Sequence, residues 1–431
     1  MKTKSIIITT LALLISAGLT SCSKSDSEET TQNTDEKTDT PQYVDDKGEA
    51  LTASQEQAFG KSINDFTFNM FRTMAAEHPR QSLVSSPLSA ATLLAMLNDG
   101  AWGKTREELL KVLGFEGAKS RSVNEYFQKL MDTTTDDATT KLQMANAVYV
   151  RRGYEFKTSF VDDMKLYYSA DVATLDFDKA ETIKYINDWC SDKTNKMIPE
   201  IIQKLPSDAL SIMIDALYFK GEWKNCFFAL ATHERTFTLE DGTQCQLMTM
   251  HDSRECDDYL DTTDYQALRL KYGNGSYNMT ILLPKKGKTV SDVVGGLTAD
   301  SWKTLQSKMG YPGTLVNISL PRFTVQTTEE AADLKGMLSK MGVNGIFSAK
   351  DAELPNILNV NGLYIDQIKQ KAVIKVTEIG TEAAAITYDF SAGSSGEVII
   401  PIDFYADHPF VYVISNSKTG VVYFIGQYHG E

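Results

Sequence analysis

The sequence lacks the short motifs that mark most enzyme classes. It contains no GxSxG, no HExxH, no P-loop and no dinucleotide-binding GxGxxG. None of its five histidines lies in a pattern typical of a catalytic triad or a metal site. These absences remove the easily recognised enzyme classes, although they do not by themselves exclude an enzyme. We expect no cofactor and no metal, and we favour a protein that is not an enzyme.

Positive charge is also in deficit. Lys and Arg number 43 against 57 Asp and Glu, which gives a formal net charge of -14 over 431 residues. Nucleic-acid binding needs clustered Lys and Arg to neutralise phosphates, so we expect no nucleic-acid partner. With 42% hydrophobic residues, the chain can still bury a large core.

Cysteine is scarce, and its spacing does not indicate a metal site. The five residues form no CxxC pair, and no histidine lies near them at the spacing of zinc ligands. Cys245 and Cys256 flank a segment that is compatible with a hairpin, and export would permit disulfides. We nevertheless expect free, buried thiols at Cys190, Cys226, Cys245 and Cys256.

The N-terminal apolar run, residues 5–19, is too short to span a membrane and follows a positively charged start, as in a signal peptide. It ends in Leu-Thr-Ser-Cys22, which resembles a bacterial lipobox. The resemblance implies a signal peptide at 1–21, lipidation of Cys22 and attachment to a membrane through the lipid. The alternative is a plain signal peptide followed by a chance cysteine.

Residues 22–50 are predicted to be a disordered linker. They are rich in Ser, Thr, Asp and Glu, and they cannot bury enough apolar surface to offset the entropy of ordering. The acidic residues just after Cys22 resemble the surface-export signal of Bacteroidetes lipoproteins; a solvated tether is the alternative. We expect an exported protein that is lipid-anchored to the bacterial outer membrane and faces either the periplasm or the cell exterior.

Residues 51–431 contain no second linker and no repeat, so they are predicted to form one domain. Predicted helices begin after Ser54, span 88–97, and run from a Thr105 cap to Gly114. Strand patterns follow at 142–150, 210–219, 277–283, 316–325, 410–414 and 421–425. Helices first and strands later, without a βαβ rhythm, indicate an α+β fold.

The segment from Lys371 onward has an unusual pattern. Residues 371–378 alternate like a strand, and they lead into small residues with no turn signal before Gly393. If the strand continued, its inward side chains would be Thr381, Ala383, Ala385 and Thr387. A segment that suits both a loop and a buried strand indicates a protein that switches between two packings.

Several motifs, in order along residues 51–431, resemble the serpin family. They are SPLS at 86–89, LQMANAVYV at 142–150, YFKGEW at 218–223, SLPRF at 319–323, GTEAAA at 380–385, HPF at 408–410 and FIG at 424–426. The resemblance implies an α+β fold with three β-sheets, about eight to nine helices and an exposed reactive-centre loop.

The resemblance also implies inhibition of serine endopeptidases, and of cysteine endopeptidases as a second class. The protease cuts the loop and becomes esterified to it. The freed loop then inserts into a sheet as a new strand, and the distorted acyl-enzyme is not hydrolysed. The expected partner is a target protease held in a covalent acyl complex, and the chain itself is expected to be a monomer.

The same resemblance places the functional residues of the loop. Its hinge comprises Glu378, Gly380, Thr381, Glu382, Ala383, Ala384 and Ala385. The expected reactive bond joins Ser394 to Ser395, with the bonds from Gly393 to Ser394 and from Ser395 to Gly396 as alternatives.

The residues around the reactive bond predict the class of protease. A small residue before the bond suits elastase-like or subtilisin-like enzymes. Trypsin-like targets are not expected, because no Lys or Arg lies between Lys375 and Lys418. Tyr388 and Phe390 would suit chymotrypsin-like enzymes, but cutting there leaves a shorter segment to insert.

Two regions of the large sheet are expected to control insertion. The first, the breach, comprises Trp223, Arg322 and Glu378. There the Arg–Glu pair would restrain premature insertion; a solvated surface pair of little energetic value is the alternative.

The second region, the shutter, comprises Ser86, Ser89, Asp215 and Gln370. A helix cap and a core hydroxyl are the alternative roles of the two serines. Asp215 stands where the family usually has Asn, and Gln370 where it often has His. We expect the Asp215 carboxylate to accept a hydrogen bond from the Gln370 amide, because a buried carboxylate needs a donor.

Asp389 is a further departure from the family pattern. Its carboxylate would face inward after insertion, where burial is costly, so insertion is predicted to slow near Thr387. The second functional hypothesis is therefore a non-inhibitory serpin that acts as a surface binding protein or a simple protease substrate. An exported enzyme is the third.

Overall fold

The computed structural model describes residues 47–132, 138–256, 258–310, 314–360, 362–381 and 400–430. These residues confirm the predicted α+β class. They form three β-sheets and ten helices, one of which is a single turn. No helix among them is both long enough and apolar enough to span a bilayer. They also hold no cluster of three or more His, Cys, Asp or Glu side chains suited to a metal ion.

The helices lie mostly in the first half of the chain. They are α1 (Ala53–Glu77), α2 (Pro87–Gly100), α3 (Gly103–Leu113), α4 (Ser120–Asp132), α5 (Thr158–Tyr168), α6 (Ala180–Lys193), α7 (Val290–Gly296), α8 (Ala299–Lys308), α9 (Glu329–Ala332) and α10 (Lys335–Met341).

Strands make up most of the second half. They are β1 (Leu83–Ser85), β2 (Thr140–Arg151), β3 (Asp171–Leu175), β4 (Ser211–Glu222), β5 (His233–Thr238), β6 (Gln244–Cys256), β7 (Tyr259–Asp261), β8 (Tyr265–Tyr272), β9 (Tyr277–Pro284), β10 (Thr314–Pro321), β11 (Phe323–Gln326), β12 (Gln367–Lys371), β13 (Val373–Val376), β14 (Gly380–Thr381), β15 (Ile402–Tyr405), β16 (Phe410–Asn416) and β17 (Val422–Tyr428).

The strands form sheets of six, four and seven strands. The six-stranded sheet has the order β1-β17-β16-β9-β8-β7, and the four-stranded sheet has the order β15-β10-β6-β5. The seven-stranded sheet, called the large sheet below, has the order β11-β13-β14-β4-β2-β3, and β12 pairs with β4 beside that path. The predicted strand 210–219 corresponds to β4, which is buried along nearly its whole length.

Helix α2 lies in the centre of the core because almost all of its residues are apolar or small. Ser86 caps its N-terminus by accepting a hydrogen bond from the backbone N of Ser89 at 3.4 Å, and Pro87 fills the first position. The helix packs against β4 of the large sheet and β17 of the six-stranded sheet. This position puts Ser86 and Ser89 directly beneath the large sheet.

Two predicted helix caps are wrong. Helix α1 begins two residues earlier than expected, because Thr52 rather than Ser54 is the N-cap and forms a reciprocal capping box with Gln55. Thr105 lies inside α3 and does not cap it. The start of α3 is capped from a distance instead, because the Glu353 carboxylate accepts from the backbone N of Lys104 at 2.6 Å.

Two predictions about the later strands also need correction. The predicted strand 316–325 is broken at Arg322, so that β10 belongs to the four-stranded sheet and β11 to the large sheet. Cys245 and Cys256 flank no hairpin, since both lie in the single long strand β6. The thiols are free, as expected, although Cys226 and Cys245 are only partly buried.

Candidate functional site in the large sheet

The strand β4 exchanges neighbours along one edge. In its lower part it pairs in parallel with β12, and the last pair joins Ala216 to Lys371. At its top it pairs with β14, which joins Gly221 to Thr381. We call the position between β4 and β13 the slot; β14 occupies its top, and no other described strand pairs with β4 there.

The slot opens where the chain passes from β12 to β13. At this point, called the fork, Ala372 leaves β4 and bonds to Thr327 instead. The Ala372 backbone N donates to the Thr327 hydroxyl at 3.0 Å, and the Thr327 backbone N donates to the Ala372 carbonyl at 2.9 Å. Beyond the fork, β13 pairs with β11 on its outer side, so its inner edge faces the slot.

A tight turn brings the chain back into the slot above β13. The backbone N of Thr377 donates to the Gly380 carbonyl at 2.9 Å, and the Gly380 N donates to the Thr377 carbonyl at 3.2 Å. Any Cβ at Gly380 would lie 2.0 Å from the carbonyl oxygen of Gly221, so only glycine fits. The first part of the hinge, up to Thr381, is therefore already folded into the top of the sheet.

Thr381 is held in the slot by a buried hydroxyl pair. Its side chain is 1% exposed, and its Oγ1 lies 2.7 Å from the Tyr272 hydroxyl. Burial raises the pKa of Tyr272, so that its hydroxyl keeps its proton. Tyr272 in turn stacks on Trp223 at 4.4 Å between ring centroids. The Trp223 indole N donates to the Thr377 carbonyl at 2.9 Å, which completes the ring of contacts around the turn.

The breach residues meet beside this turn. Arg322 donates from Nε to Oε1 of Glu378 at 2.7 Å and also from Nη2, and the Thr232 hydroxyl donates to the same oxygen at 2.6 Å. Burial raises the pKa of Glu378, but the hydrogen bonds from Arg322 and Thr232 outweigh it, so the net pKa is lowered. Glu378 is 6% exposed, whereas the Arg322 side chain is 41% exposed, so the pair joins a buried carboxylate to a half-exposed guanidinium.

Backbone contacts tie the same turn to the segment that follows β4. The Trp223 N donates to the Ile379 carbonyl at 2.7 Å, and the Phe227 N donates to the Glu378 carbonyl at 2.8 Å. Sequence analysis missed Tyr272 and Thr232. Neither belongs to a motif; the sequence shows only that Tyr272 ends a strand before the Gly273-Asn-Gly275 turn.

The shutter residues assemble under the fork, but not with the expected hydrogen bond. The Gln370 amide donates to the Ser86 carbonyl at 2.7 Å, and its oxygen accepts from the Ser85 hydroxyl at 3.1 Å and the Ser86 N at 3.2 Å. The Gln370 amide is thus turned toward Ser85 and Ser86 and gives no hydrogen bond to Asp215, although the two residues are register neighbours on β12 and β4. The expected bond between Gln370 and Asp215 is wrong.

Asp215 is left as a buried carboxyl group without a partner. Its side chain is fully buried, and neither oxygen accepts a hydrogen bond in the described part of the chain. The Ser89 hydroxyl accepts from Ser86 at 3.0 Å and keeps its own O–H, which is the polar group that acts on Asp215. Burial raises the pKa of Asp215 to about 7, and Ser89 offsets this only in part.

The remaining predicted site residues lie outside the described ranges. They are Cys22 of the lipidation site, Glu382, Ala383, Ala384 and Ala385 of the hinge, Gly393, Ser394, Ser395 and Gly396 around the reactive bond, and Asp389.

Comparison with known proteins identifies relatives over most of the chain. The family described as "Serpin (serine protease inhibitor)" matches residues 61–430. An uncharacterised serpin-like protein of Thermococcus kodakarensis is 32% identical over 385 residues, which cover 88% of either chain. The leukocyte elastase inhibitor of Bos taurus is 31% identical over 376 residues, which cover 84% of this chain and 96% of that protein.

A solved structure supports the same fold. The thermophilic serpin tengpin in its native state superposes with a TM-score of 0.80 at 24% sequence identity, and the match covers 89% of this chain and 96% of that one. These comparisons correct one expectation. The expectation that the chain is not an enzyme says only what the protein does not do. The family description replaces it with a class of protease inhibitors.

Replacing Glu378 by Gln should loosen the breach. The lowered pKa means that Glu378 stabilises the fold above its ordinary pKa of 4.5, and that this contribution is lost as the pH falls through the lowered folded value. We expect E378Q to lower the free energy of unfolding by about 1–3 kcal/mol at neutral pH. The difference should shrink in acid, as measured by denaturant unfolding at several pH values.

The matched control is Glu329→Gln. Its carboxylate also pairs with a cation, Lys371, but it is 54% exposed at the surface of the same sheet. We expect a loss below about 1 kcal/mol. Equal losses in the two variants would contradict a special role for Glu378.

The hydroxyl pair between Tyr272 and Thr381 predicts a coupling. Tyr272→Phe and Thr381→Val should each cost about 1–3 kcal/mol of unfolding free energy, because each leaves a buried hydroxyl unpaired. The double variant should cost clearly less than the sum of the two, as a double-mutant cycle would measure. Tyr265→Phe, at the other end of β8, is the control and should be near neutral. Strict additivity would show that the pair does not hold the hinge.

Proposed function

The chain belongs to the serpin family, and we propose that it inhibits serine endopeptidases as a suicide substrate whose cut loop inserts into the slot of the large sheet. The observation that carries the proposal is the position of Thr381. It is the first residue of the proposed insert, and it is already paired with Gly221 on β4 and Val376 on β13. Insertion would extend a strand that has begun.

The register at Thr381 predicts where the following residues go. In the proposed inserted form, the strand continues antiparallel to β4, which puts Ala383 opposite Phe219 and Ala385 opposite Leu217. These β4 side chains belong to the main hydrophobic core. Small residues on the loop can pass over such large neighbours without displacing them. This supports the view that the hinge is built for insertion.

The same register carries the insert through the fork. It puts Thr387 between Asp215 on β4 and Gln370 on β12, two residues that pair directly in the closed sheet. Insertion must therefore separate β12 from β4. In return, the Thr387 hydroxyl would reach the Asp215 carboxyl group, which has no hydrogen-bond partner before insertion.

Asp389 marks the next step and supports a slower final stage. In the proposed register it lies opposite Met213, which is fully buried in the main core. A carboxylate there would have to take up a proton before burial. Hydrolysis of the acyl-enzyme competes with insertion, so a slow last step would release part of the inhibitor in cleaved form.

In the proposed reaction, this chain contributes only the reactive bond between Ser394 and Ser395; the catalytic groups belong to the protease. The protease serine oxygen attacks the carbonyl of Ser394, the C–N bond to Ser395 breaks, and the new amine takes the proton from the protease histidine. The ester that remains needs an aligned triad and oxyanion hole for attack by water. Insertion pulls the protease against the sheet end and disturbs that alignment.

Elastase-like or subtilisin-like enzymes are the proposed targets, with cysteine endopeptidases as a second class. The small residues Gly393 to Gly396 around the bait bond support this choice. One relative carries the name leukocyte elastase inhibitor, which agrees with it.

We further propose where the protein acts. The lipobox-like Cys22 and the acidic residues after it support a Bacteroidetes-like lipoprotein, with a signal peptide at 1–21, a linker at 22–50 and the serpin domain at 51–431. Such a chain would be exported, held on the outer membrane by its lipid, and monomeric. It would meet its protease in the periplasm or at the cell surface.

A non-inhibitory serpin is the second candidate function. Asp389 and the Asp215 departure favour it, since both place a carboxyl group where an insert would have to pass. Such a protein would act as a surface binding protein or a simple substrate, and its cut loop would not enter the sheet.

The decisive experiment mixes residues 23–431 with elastase-like, subtilisin-like, chymotrypsin-like and cysteine proteases. An inhibitor should give a covalent complex on a denaturing gel, with the cut near Ser394 by mass spectrometry. The cleaved chain should also unfold at a much higher temperature than the intact one. Clean cleavage without a complex and without added heat stability would support the non-inhibitory function instead.

Thr381→Arg tests the insertion step itself. A guanidinium cannot be buried beside Tyr272 without a partner, so the variant should be cut as a substrate and form almost no complex. Thr324→Arg, at an exposed position on β11 of the same sheet, is the control and should inhibit normally. Retained inhibition by T381R would rule out the proposed mechanism for this chain.

A further inference from the structure

The fork of the large sheet contains one buried acid. Asp215 lies opposite Gln370, one residue below the last pair between β12 and β4. Its side chain points to the core face, where α2 packs against the sheet, because Met213 and Leu217 on the same face belong to the main core. Asp215 therefore sits at the point where β12 and β4 begin to separate.

The polar side chains around Asp215 are hydrogen-bonded to other groups. Gln370 is bonded to Ser85 and Ser86, and Ser89, whose hydroxyl partly offsets the effect of burial on the pKa of Asp215, accepts from Ser86. Asn146 on β2, the register neighbour on the other side, donates to the Tyr168 carbonyl at 3.3 Å. No hydrogen bond reaches either Asp215 oxygen within the described ranges.

The charged and titratable groups around the fork do not compensate Asp215 either. Cys190 on α6 is the nearest titratable group across the sheet; burial, and then Asp215 itself, raise the pKa of its thiol to about 12, so it stays neutral. On β12, Lys371 is bound by Glu329 and the Glu200 carbonyl, and Lys369 pairs with Asp333 at 3.6 Å. An ionised Asp215 would thus be a buried, unpaired charge.

We propose that Asp215 is a positioning residue that links the opening of the fork to a proton, so that β12 closes on β4 when Asp215 is neutral and separates more readily when it is ionised. The consequence for inhibition rests on the function proposed above, because insertion has to pass through the fork. The proton linkage itself concerns the uncut chain and needs no protease.

The direction of the pH dependence follows from the two environments. In the closed fork the pKa of Asp215 is raised from 3.8 to about 7, whereas an opened fork admits water and restores the ordinary value. Between these two pH values, opening releases a proton and becomes easier as the pH rises. Above about pH 7 the carboxyl is ionised in both states, and the dependence levels off.

Hydrogen exchange of the intact, uncut chain measures this opening directly. The amides of 211–222 and 367–376 should lose protection as the pH rises from about 5 to 7, after correction for intrinsic exchange. The loss should reach up to about tenfold per pH unit and flatten near pH 8. Asp215→Asn, which keeps the shape but cannot ionise, should show no such slope.

Asp333→Asn is the matched control, because its carboxylate reaches the same strand from the surface and is 39% exposed. It should keep the wild-type pH response. A flat wild-type profile, or a slope that persists in D215N, would overturn the proposal. Neither result bears on whether the chain forms a covalent protease complex, so the two proposals fail separately.

A measurement on the wild-type chain alone covers the case in which D215N does not fold. Infrared spectroscopy distinguishes a neutral carboxyl group from a carboxylate. We expect two buried neutral carboxyl groups in mild acid: Asp99, whose pKa burial raises to about 6, and Asp215, which should be the last to ionise, around pH 7. If every carboxyl group has ionised by about pH 5, the proposal is wrong.

Discussion

A strand can pair with only one neighbour on each side, and on one edge of β4 two segments compete for that place. Strand β12 holds the edge up to Ala216, and β14 holds it from Gly221. Buried backbone groups need hydrogen-bond partners, so a strand that ran along the whole edge would be favoured over this divided arrangement. In the proposed mechanism, the residues that follow Thr381 supply such a strand after the loop is cut. The breach and the fork then serve to keep β12 and β14 in their separate places along β4 until the loop is cut.

The fold and much of the site could be predicted from sequence because they depend on local patterns. The apolar run of β4 and the Ser86-Pro87 start of α2 are read directly along the chain. What could not be predicted depends on tertiary contacts. Glu353 caps α3 although it lies 249 positions further along the chain, the Tyr272 hydroxyl of one sheet meets Thr381 of another, and Gln370 turns to Ser86 rather than to Asp215. For each of these contacts the sequence offers several chemically equivalent partners. Only tertiary packing determines which of them forms the hydrogen bond.

The two ends of the slot are held by different interactions. At the top, Glu378 and Thr381 gather strong donors around a turn that only glycine can complete, so this end is well satisfied in the uncut chain. At the fork, neither Asp215 oxygen accepts a hydrogen bond of good geometry within the described part of the chain. A satisfied hydrogen bond slows any movement that breaks it, whereas an unpaired buried group favours movement toward a partner. The top of the slot therefore resists opening, and the fork favours it.

This asymmetry explains how a departure from the family pattern can be compatible with inhibition. An amide at position 215 would be neutral at every pH and would hold the fork closed equally well in all conditions. In the linkage proposed above, the carboxyl group makes the closed sheet less stable by an amount that grows as the pH rises toward 7. If the loop inserts as proposed, the free energy lost in the closed sheet is part of what drives insertion. The closed sheet then depends more strongly on the breach. A substitution that weakens the contacts of Glu378 or Tyr272 should therefore disturb the closed sheet more than it would with an amide at position 215.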